Sequence, residues 1–415
     1  MTKAFIETIN LYFSEITGKS SEGINPENLE EIIKIAKSQG IYCYVLLALK
    51  RLYDENRLAL SEQDIKNIKM ILFNASTVNT NKLIMFSDVL KQFEEAGIEC
   101  CVLKGESLAR FYYEPAFRIS GDIDVLVSPE NEEKAIAILR KNKFKVVPRS
   151  DGSPHDLCYH ESMGRIELHV MLYSDFMEDI WFDKCRDLIC EQQVEVISSN
   201  GYSYRTLGIT DGFINVFLHG VEHFLTDCMG LRHISDILLY LVNNINDIDF
   251  KRVFDVLDRL KYKKFLDNIL GIGIMYGGLE KEQIYSACYD EELCDKMLQE
   301  IYDFGIFGAN TVNVSFFPRY TKLRYNTFEQ RGDPEKFLKQ KYIRYVKNFL
   351  SLSRKNMENL YDGEYIWKAR IKHINVIKNK LLNKIKKKLR QKNSTACEQG
   401  IFKNREKLVK DLDMI

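Results

Sequence analysis

No CxxC pair occurs among the ten cysteines, neither sign of charge is in excess, and no apolar run approaches the ~20 residues that span a bilayer. Each absence removes a class of protein. The thiols are scattered, with Cys100 and Cys101 adjacent in an apolar run, which argues against a zinc knuckle and for buried, reduced cysteines. Lys plus Arg and Asp plus Glu number 59 each, so whole-chain charge favours neither nucleic acid nor membrane, and any such contact must come from a local patch. The longest apolar stretch, Ile41 to Leu49, is too short for a transmembrane helix. The opening MTKAFIETIN lacks the continuous apolar segment of a signal peptide, and the expected location is cytoplasmic.

What remains is an ordinary globular composition, 45% hydrophobic and 28% charged, which rules out disorder as the default. At about 150 residues per domain, 415 residues make two or three units. The first hundred residues carry apolar positions at helical spacing, with start signals at Asn25-Pro26 and Ser61/Asp64. From Ile98 the texture changes. The run IECCVL ends at Lys104-Gly105, a short helix follows, then the strand IDVLV, then a helix opened by Ser128 and Pro129. Further strands are expected at FKVV (144–147), HDLCYH (155–160), RIELHV (165–170), VEVI (194–197) and YSYRTL (202–207). After Thr210 helical periodicity returns. The expected fold is α+β, a small mixed sheet with helices at 97–208, between a helical region at 1–96 and a helical domain at 209–350, with a basic helical tail at 351–415.

The segment SGDIDVLV concentrates the chemistry. Side chains alternate along a strand, so Asp122 and Asp124 project to one side while Ile123 and Val125 project to the other. Two adjacent carboxylates repel unless positive charge lies between them, and hard divalent cations suit such oxygens. The bland alternative is a turn cap at Asp122 and a local hydrogen bond at Asp124. Two neighbours weigh against it. Upstream, Lys104-Gly105 forms a strand-turn-helix whose glycine admits an anion close to backbone N–H groups. Downstream, Arg165, Glu167 and His169 share one strand face, offering a third carboxylate.

This order of segments resembles the nucleotidyltransferase superfamily with the polymerase-beta fold: a glycine turn, DhDh on the next strand and an acid on a later one. More closely, LKGESLARFYYEPAFRISGDIDVLV, RIELHV and LRHISDILL are similar to an uncharacterised bacterial family of such enzymes, over roughly Ile98 to Tyr240. The resemblance implies Asp122, Asp124 and Glu167 as catalytic ligands for two Mg²⁺ (or Mn²⁺) ions, Lys104 and Gly105 at the triphosphate, and two-metal transfer of a nucleoside monophosphate from an NTP to an unidentified hydroxyl acceptor, with a small molecule or sugar favoured. Arg118, just before the pair, is the expected phosphate fork. Two positions depart from the pattern. Glu106 follows the glycine where Ser or Gly is usual, and Glu167 is one methylene longer than the commoner Asp.

Three other readings compete. His219, Glu222 and His223 fit H-x-x-E-H, a zinc peptidase pattern on a helix. The plainer reading makes His169, His219, His223, Arg232 and Asp236 a polar strip along a substrate groove, with Arg232 and Asp236 also spaced for an i, i+4 ion pair. A non-catalytic or antitoxin-like member of the same fold is the third. Finally, KARIKHINVIKNKLLNKIKKKLRQK is basic, with a helical stripe of Ile371, Ile374, Ile377, Leu381, Leu382, Ile385 and Leu389. Such a helix packs on the body by its stripe or makes weak contact with an anionic surface.

Overall fold

The computed structural model describes residues 1–18, 23–24, 26–118, 120–149, 153–173, 185, 193–199, 202–226, 228–280, 288–306 and 407–414. Helix α1 (Lys3–Thr17) starts where the Thr2 hydroxyl accepts from the Phe5 amide, and α2 (Leu29–Ser38) where Asn28 accepts from Glu31. The start expected at Asn25-Pro26 therefore falls three residues later, because Asn28 is the side chain that satisfies an orphan amide; Asn25 lies outside the described residues. Helix α3 (Tyr42–Asp54) is followed by the long α4 (Glu62–Glu95), capped as expected by Ser61 accepting from the Asp64 amide.

A five-stranded sheet follows: β1 (Cys100–Val102), β2 (Asp122–Val127), β3 (Lys145–Val147), β4 (His155–His160) and β5 (Gly164–His169), in the order β1-β2-β5-β4-β3. Among the described strands of this sheet, β2 and β5 pair in parallel and the other neighbours antiparallel. That arrangement needs a crossover, supplied by α6 (Glu132–Lys141) with β3 and β4. Ser128-Pro129 opens a 3₁₀ turn over Pro129–Asn131 rather than α6 itself. Between β1 and β2 stands α5 (Glu106–Ala109), one turn long. Strands β6 (Gln193–Ser199) and β7 (Tyr202–Leu207) form a hairpin, and the Thr206 hydroxyl donates to the Val102 carbonyl at 2.8 Å, setting β7 beside β1.

The alternation along β2 places its two faces in different surroundings. Ile123, Val125 and Val127 join Ile166 and Leu168 of β5 in a core with Phe86, Val89, Leu90 and Phe93 of α4 and Ala135 and Leu139 of α6. Burying each phenylalanine there contributes roughly 1.5–3 kcal/mol relative to exposure. The opposite face looks toward a second core, which includes Cys101, Leu103 and Leu126. In it α1, α2 and α3 join α7 (Ile209–Thr226), α8 (Leu231–Asn243), α9 (Phe250–Leu260), α10 (Lys263–Tyr276) and α11 (Glu291–Phe304). Helices from both ends of the chain thus share one interior, tied by Gln39 donating to the Ile301 carbonyl at 2.8 Å. No described helix is long and apolar enough to cross a membrane. The basic segment carrying Ile371 to Leu389 lies outside the described residues.

Candidate active site

The register of two strands assembles the site. Parallel pairing sets Asp122 opposite Arg165, Asp124 opposite Glu167 and Leu126 opposite His169, while antiparallel β4 sets His155 opposite His169. Because neighbours in register project to the same face, the polar side chains of three strands meet above β2 and β5. Asp122 Oδ2 accepts from Arg165 Nη2 at 2.5 Å, and the same nitrogen lies 3.1 Å from Glu167 Oε1. Asp122 Oδ1 accepts from the Ser120 hydroxyl at 3.1 Å. Asp124 Oδ1 lies 3.2 Å from Lys104 Nζ and 3.0 Å from His169 Nε2. His155 Nε2 lies 3.6 Å from Glu167 Oε2. Asp122, Asp124, Glu167, Lys104 and His169, separated by up to 65 positions in the chain, are neighbours.

Charge is tightly balanced in this ladder. Burial alone would raise the Asp124 carboxyl, but the Lys104 ammonium and His169 outweigh it and hold Asp124 far below the carboxylate range. Burial works against the Lys104 charge too, and Asp124, Glu167 and Asp122 overcome it, raising its pKa. Glu167 goes the other way. Burial, then Asp124 and Asp122, push it up to about 7, with Lys104 and Arg165 offsetting only part. A carboxyl that burial and two neighbouring carboxylates drive toward neutrality favours an added positive charge beside it, and these oxygens suit a hard divalent cation. The residues therefore fit the metal expected for this arrangement.

Below the strand, Lys82 of α4 donates to the carbonyls of Ser120 at 2.8 Å and Asp122 at 3.4 Å, and burial lowers its pKa to about 8. It pins the backbone where β2 begins. Gly105 opens α5 with φ +75° and ψ −103°, a conformation that a side chain strains. Its carbonyl accepts from Arg118 Nη1 at 2.8 Å.

Arg118, expected at phosphate, and Asp236, expected in the groove, both line the cleft, where they pair with each other. Nε and Nη2 of Arg118 donate to Oδ1 and Oδ2 of Asp236 at 2.8 and 2.7 Å, and the Tyr112 hydroxyl donates to Oδ1 at 2.7 Å. Three of the five N–H donors of the fork are thereby committed to structure. The Asp236 carboxylate serves Arg118 and Tyr112 across more than a hundred residues, where the i, i+4 spacing had suggested Arg232 as its partner. The physical reason is burial: Asp236 is buried against the Arg118 fork, which matches both of its oxygens.

A cleft of about 310 Å³ separates this ladder from α7 and α8. Its far wall carries Asn215, His219, Glu222, His223, Arg232 and His233. The ring centroids of His219 and His223 are 4.4 Å apart, and those of His223 and His233 are 4.5 Å apart. Burial and Lys104 lower His219 well below its ordinary value, burial and His223 do the same to His233, and burial lowers His223 to about 3, so all three are neutral. His219 Nδ1 accepts from Lys104 Nζ at 3.3 Å and His233 Nδ1 accepts from the Gly230 amide at 3.1 Å. A neutral ring accepting at Nδ1 carries its proton on Nε2. These two rings thus carry Nε2–H, and binding zinc through Nε2 would cost them both hydrogen bonds. The third ligand that H-x-x-E-H lacked in sequence is in place as His233, yet the tautomers oppose a metal there.

Several further neighbours of the site carry no signal of their own in the sequence. His155 was seen only as part of a strand, and the signal that reveals it is strand parity combined with the β4–β5 register. Lys82, Asn215 and His233 come from helices whose facing is a tertiary matter.

A family model described as an uncharacterised nucleotidyltransferase matches residues 25–273, well over half of the chain and including every residue of the ladder. The chain belongs to this family. Among solved structures it is similar to the antibiotic-resistance factor ANT(2'')-Ia, at 13% identity, over 48% of this chain and 100% of that one, with a TM-score of 0.34. No curated protein matches the chain. Membership of a nucleotidyltransferase family also sets the peptidase reading of His219, Glu222 and His223 aside.

Proposed function

We propose that this member of the family transfers a nucleoside monophosphate from an NTP to a hydroxyl acceptor, a small molecule or sugar, in the cytoplasm. The observation that carries the reading is the parallel register of Asp124 against Glu167, with Asp122 two residues away on the same face and Lys104 at the adjoining strand-turn-helix. Asp122, Asp124 and Glu167 would hold Mg²⁺ or Mn²⁺. Such an ion supplies Lewis-acid polarisation at the α-phosphate and lowers the pKa of the acceptor hydroxyl.

The chain's own groups account for the rest. Lys104, held charged against burial, is positioned to neutralise the departing pyrophosphate, and it must exchange Asp124 for phosphate oxygens to do so. Arg165 bridges Asp122 and Glu167 and keeps both carboxylates aimed along the same face. Arg118 acts on phosphate indirectly: it fixes the Gly105 carbonyl, hence the turn, and retains two N–H donors for the cleft it lines. The Nε2–H of His219, on the cleft wall, would suit a polar group of the acceptor.

The test incubates protein, Mg²⁺ and each labelled NTP with cell metabolite and macromolecule fractions and follows the label. Asp124→Asn should abolish incorporation while the far-ultraviolet circular dichroism stays that of the wild type. Unchanged incorporation in that variant would sink the assignment. Label transferred to no fraction by the wild type would favour a binding role for the same fold.

A further inference from the structure

His169 presents a mismatch of hydrogen-bonding roles. Its Nδ1 lies 3.3 Å from the Met171 carbonyl oxygen, which only accepts, so Nδ1 carries a proton. Its Nε2 then faces Asp124 Oδ1 at 3.0 Å and Glu167 Oε2 at 3.8 Å, both acceptors when ionised. With Nδ1 donating, the Nε2 lone pair points among carboxylate oxygens, a placement that a cation shared by the three groups would satisfy. An N–H donated to a backbone carbonyl, with the other nitrogen aimed among carboxylates, is the arrangement that orients a metal-bound imidazole. His155 adds to the same spot. Its Nε2 lies 3.6 Å from Glu167 Oε2, its ring centroid is 4.8 Å from that of His169, and its buried Nδ1 has no hydrogen-bond partner. One ligand atom from each of His155, Glu167 and His169 lies within 4.8 Å of the others. This is the reverse of the helical wall, where His219 and His233 spend Nδ1 as acceptor.

We propose that His155 and His169 join Glu167 as ligands for a first-row divalent transition metal, so that the centre holds an ion that accepts imidazole nitrogen, Zn²⁺ by preference and Mn²⁺ more weakly, where carboxylates alone would suit Mg²⁺. Imidazole nitrogen suits transition metals, whereas Mg²⁺ is an oxygen-liganded ion that dehydrates reluctantly. Two histidines and one carboxylate make a half-shell with open positions, and Asp124, in contact with His169, is the nearest further oxygen ligand. The proposal rests on the transfer reading only in placing both at one centre, and it is about which ion this chain selects.

The probe is Mn²⁺ bound to the full-length protein, read by pulsed electron paramagnetic resonance for ¹⁴N coupling, together with Mn²⁺ and Mg²⁺ affinities by equilibrium titration. The expected result is ¹⁴N coupling in the wild type that disappears in His155→Gln/His169→Gln. Each single substitution should weaken Mn²⁺ binding roughly tenfold to a hundredfold, with Mg²⁺ affinity changed far less, which also reports that the carboxylates remain folded. Absence of ¹⁴N coupling in the wild type would overturn the proposal. Coupling that survives the double substitution and vanishes in His219→Gln/His233→Gln would overturn it as well, by moving the nitrogen ligands to the helical wall. Transfer of label with Mg²⁺ but no nitrogen coupling would defeat this proposal alone, whereas nitrogen coupling without transfer under any ion would defeat only the transfer reading.

Discussion

Replacing Asp236 with alanine should cost the fold more than any single change at the carboxylates. The side chains of Arg118 and Asp236 are 5% and 8% exposed, which places the pair in the buried regime, where removing one partner costs about 3–5 kcal/mol. Two guanidinium donors and the Tyr112 hydroxyl lose their acceptor together, and an uncompensated cation is left inside. Against a total stability of about 5–15 kcal/mol the variant still folds, with a urea midpoint lowered by roughly 1–2 M. The diagnostic is the double variant Arg118→Met/Asp236→Leu. It strands no charge, so its cost should fall below the sum of the two single costs by about 2 kcal/mol or more. Urea unfolding followed by circular dichroism, on wild type, two singles and the double, measures this coupling. Additive single costs, or an Asp236→Ala penalty under about 1 kcal/mol, would refute the idea that this pair holds the Gly105 turn.

Local periodicity carried most of the sheet into view from sequence, and it also explains where the reading stopped. RIELHV and DIDVLV alternate cleanly, so Asp122, Asp124, Glu167 and His169 could each be assigned to a polar face before any pairing was known. HDLCYH was recognised as a strand over the residues it occupies, His155 to His160, yet His155 went unnoticed because its value depends on lying opposite His169. Register between strands is a property of two segments, and neither contains it alone. Arg118 shows the same limit for side chains. A fork near a DID pair suggests phosphate, but Asp236, 118 positions away, and the Gly105 carbonyl together commit three of its five donors. The His219/His223 spacing correctly placed two rings on one helical face, while their tautomers were decided by Lys104 and by the Gly230 amide.

Two further outcomes follow from the same geometry. Gly105→Ala forces a side chain into φ +75° with its Cβ 3.4 Å from the Asp122 carbonyl oxygen, so it should cost about 1–3 kcal/mol in urea unfolding and weaken NTP binding; an unchanged midpoint would show that the turn relaxes freely. Glu15, ion-paired with Arg51 on the helical side, gives a pH test remote from the cleft. Burial raises its pKa, Glu114 and Glu55 add to the rise, and Arg51 offsets only part. An acid whose folded pKa lies above its unfolded value binds its proton more tightly when folded, so its stabilising contribution is complete below the unfolded pKa of about 4.3 and is lost as pH climbs through the raised value. Thermal unfolding of wild type and Glu15→Gln at pH 4 and pH 7 isolates that term, because every other group is common to both. The variant should gain on the wild type as pH rises. A difference that stays constant between the two pH values would mean that Arg51 fully compensates the buried charge.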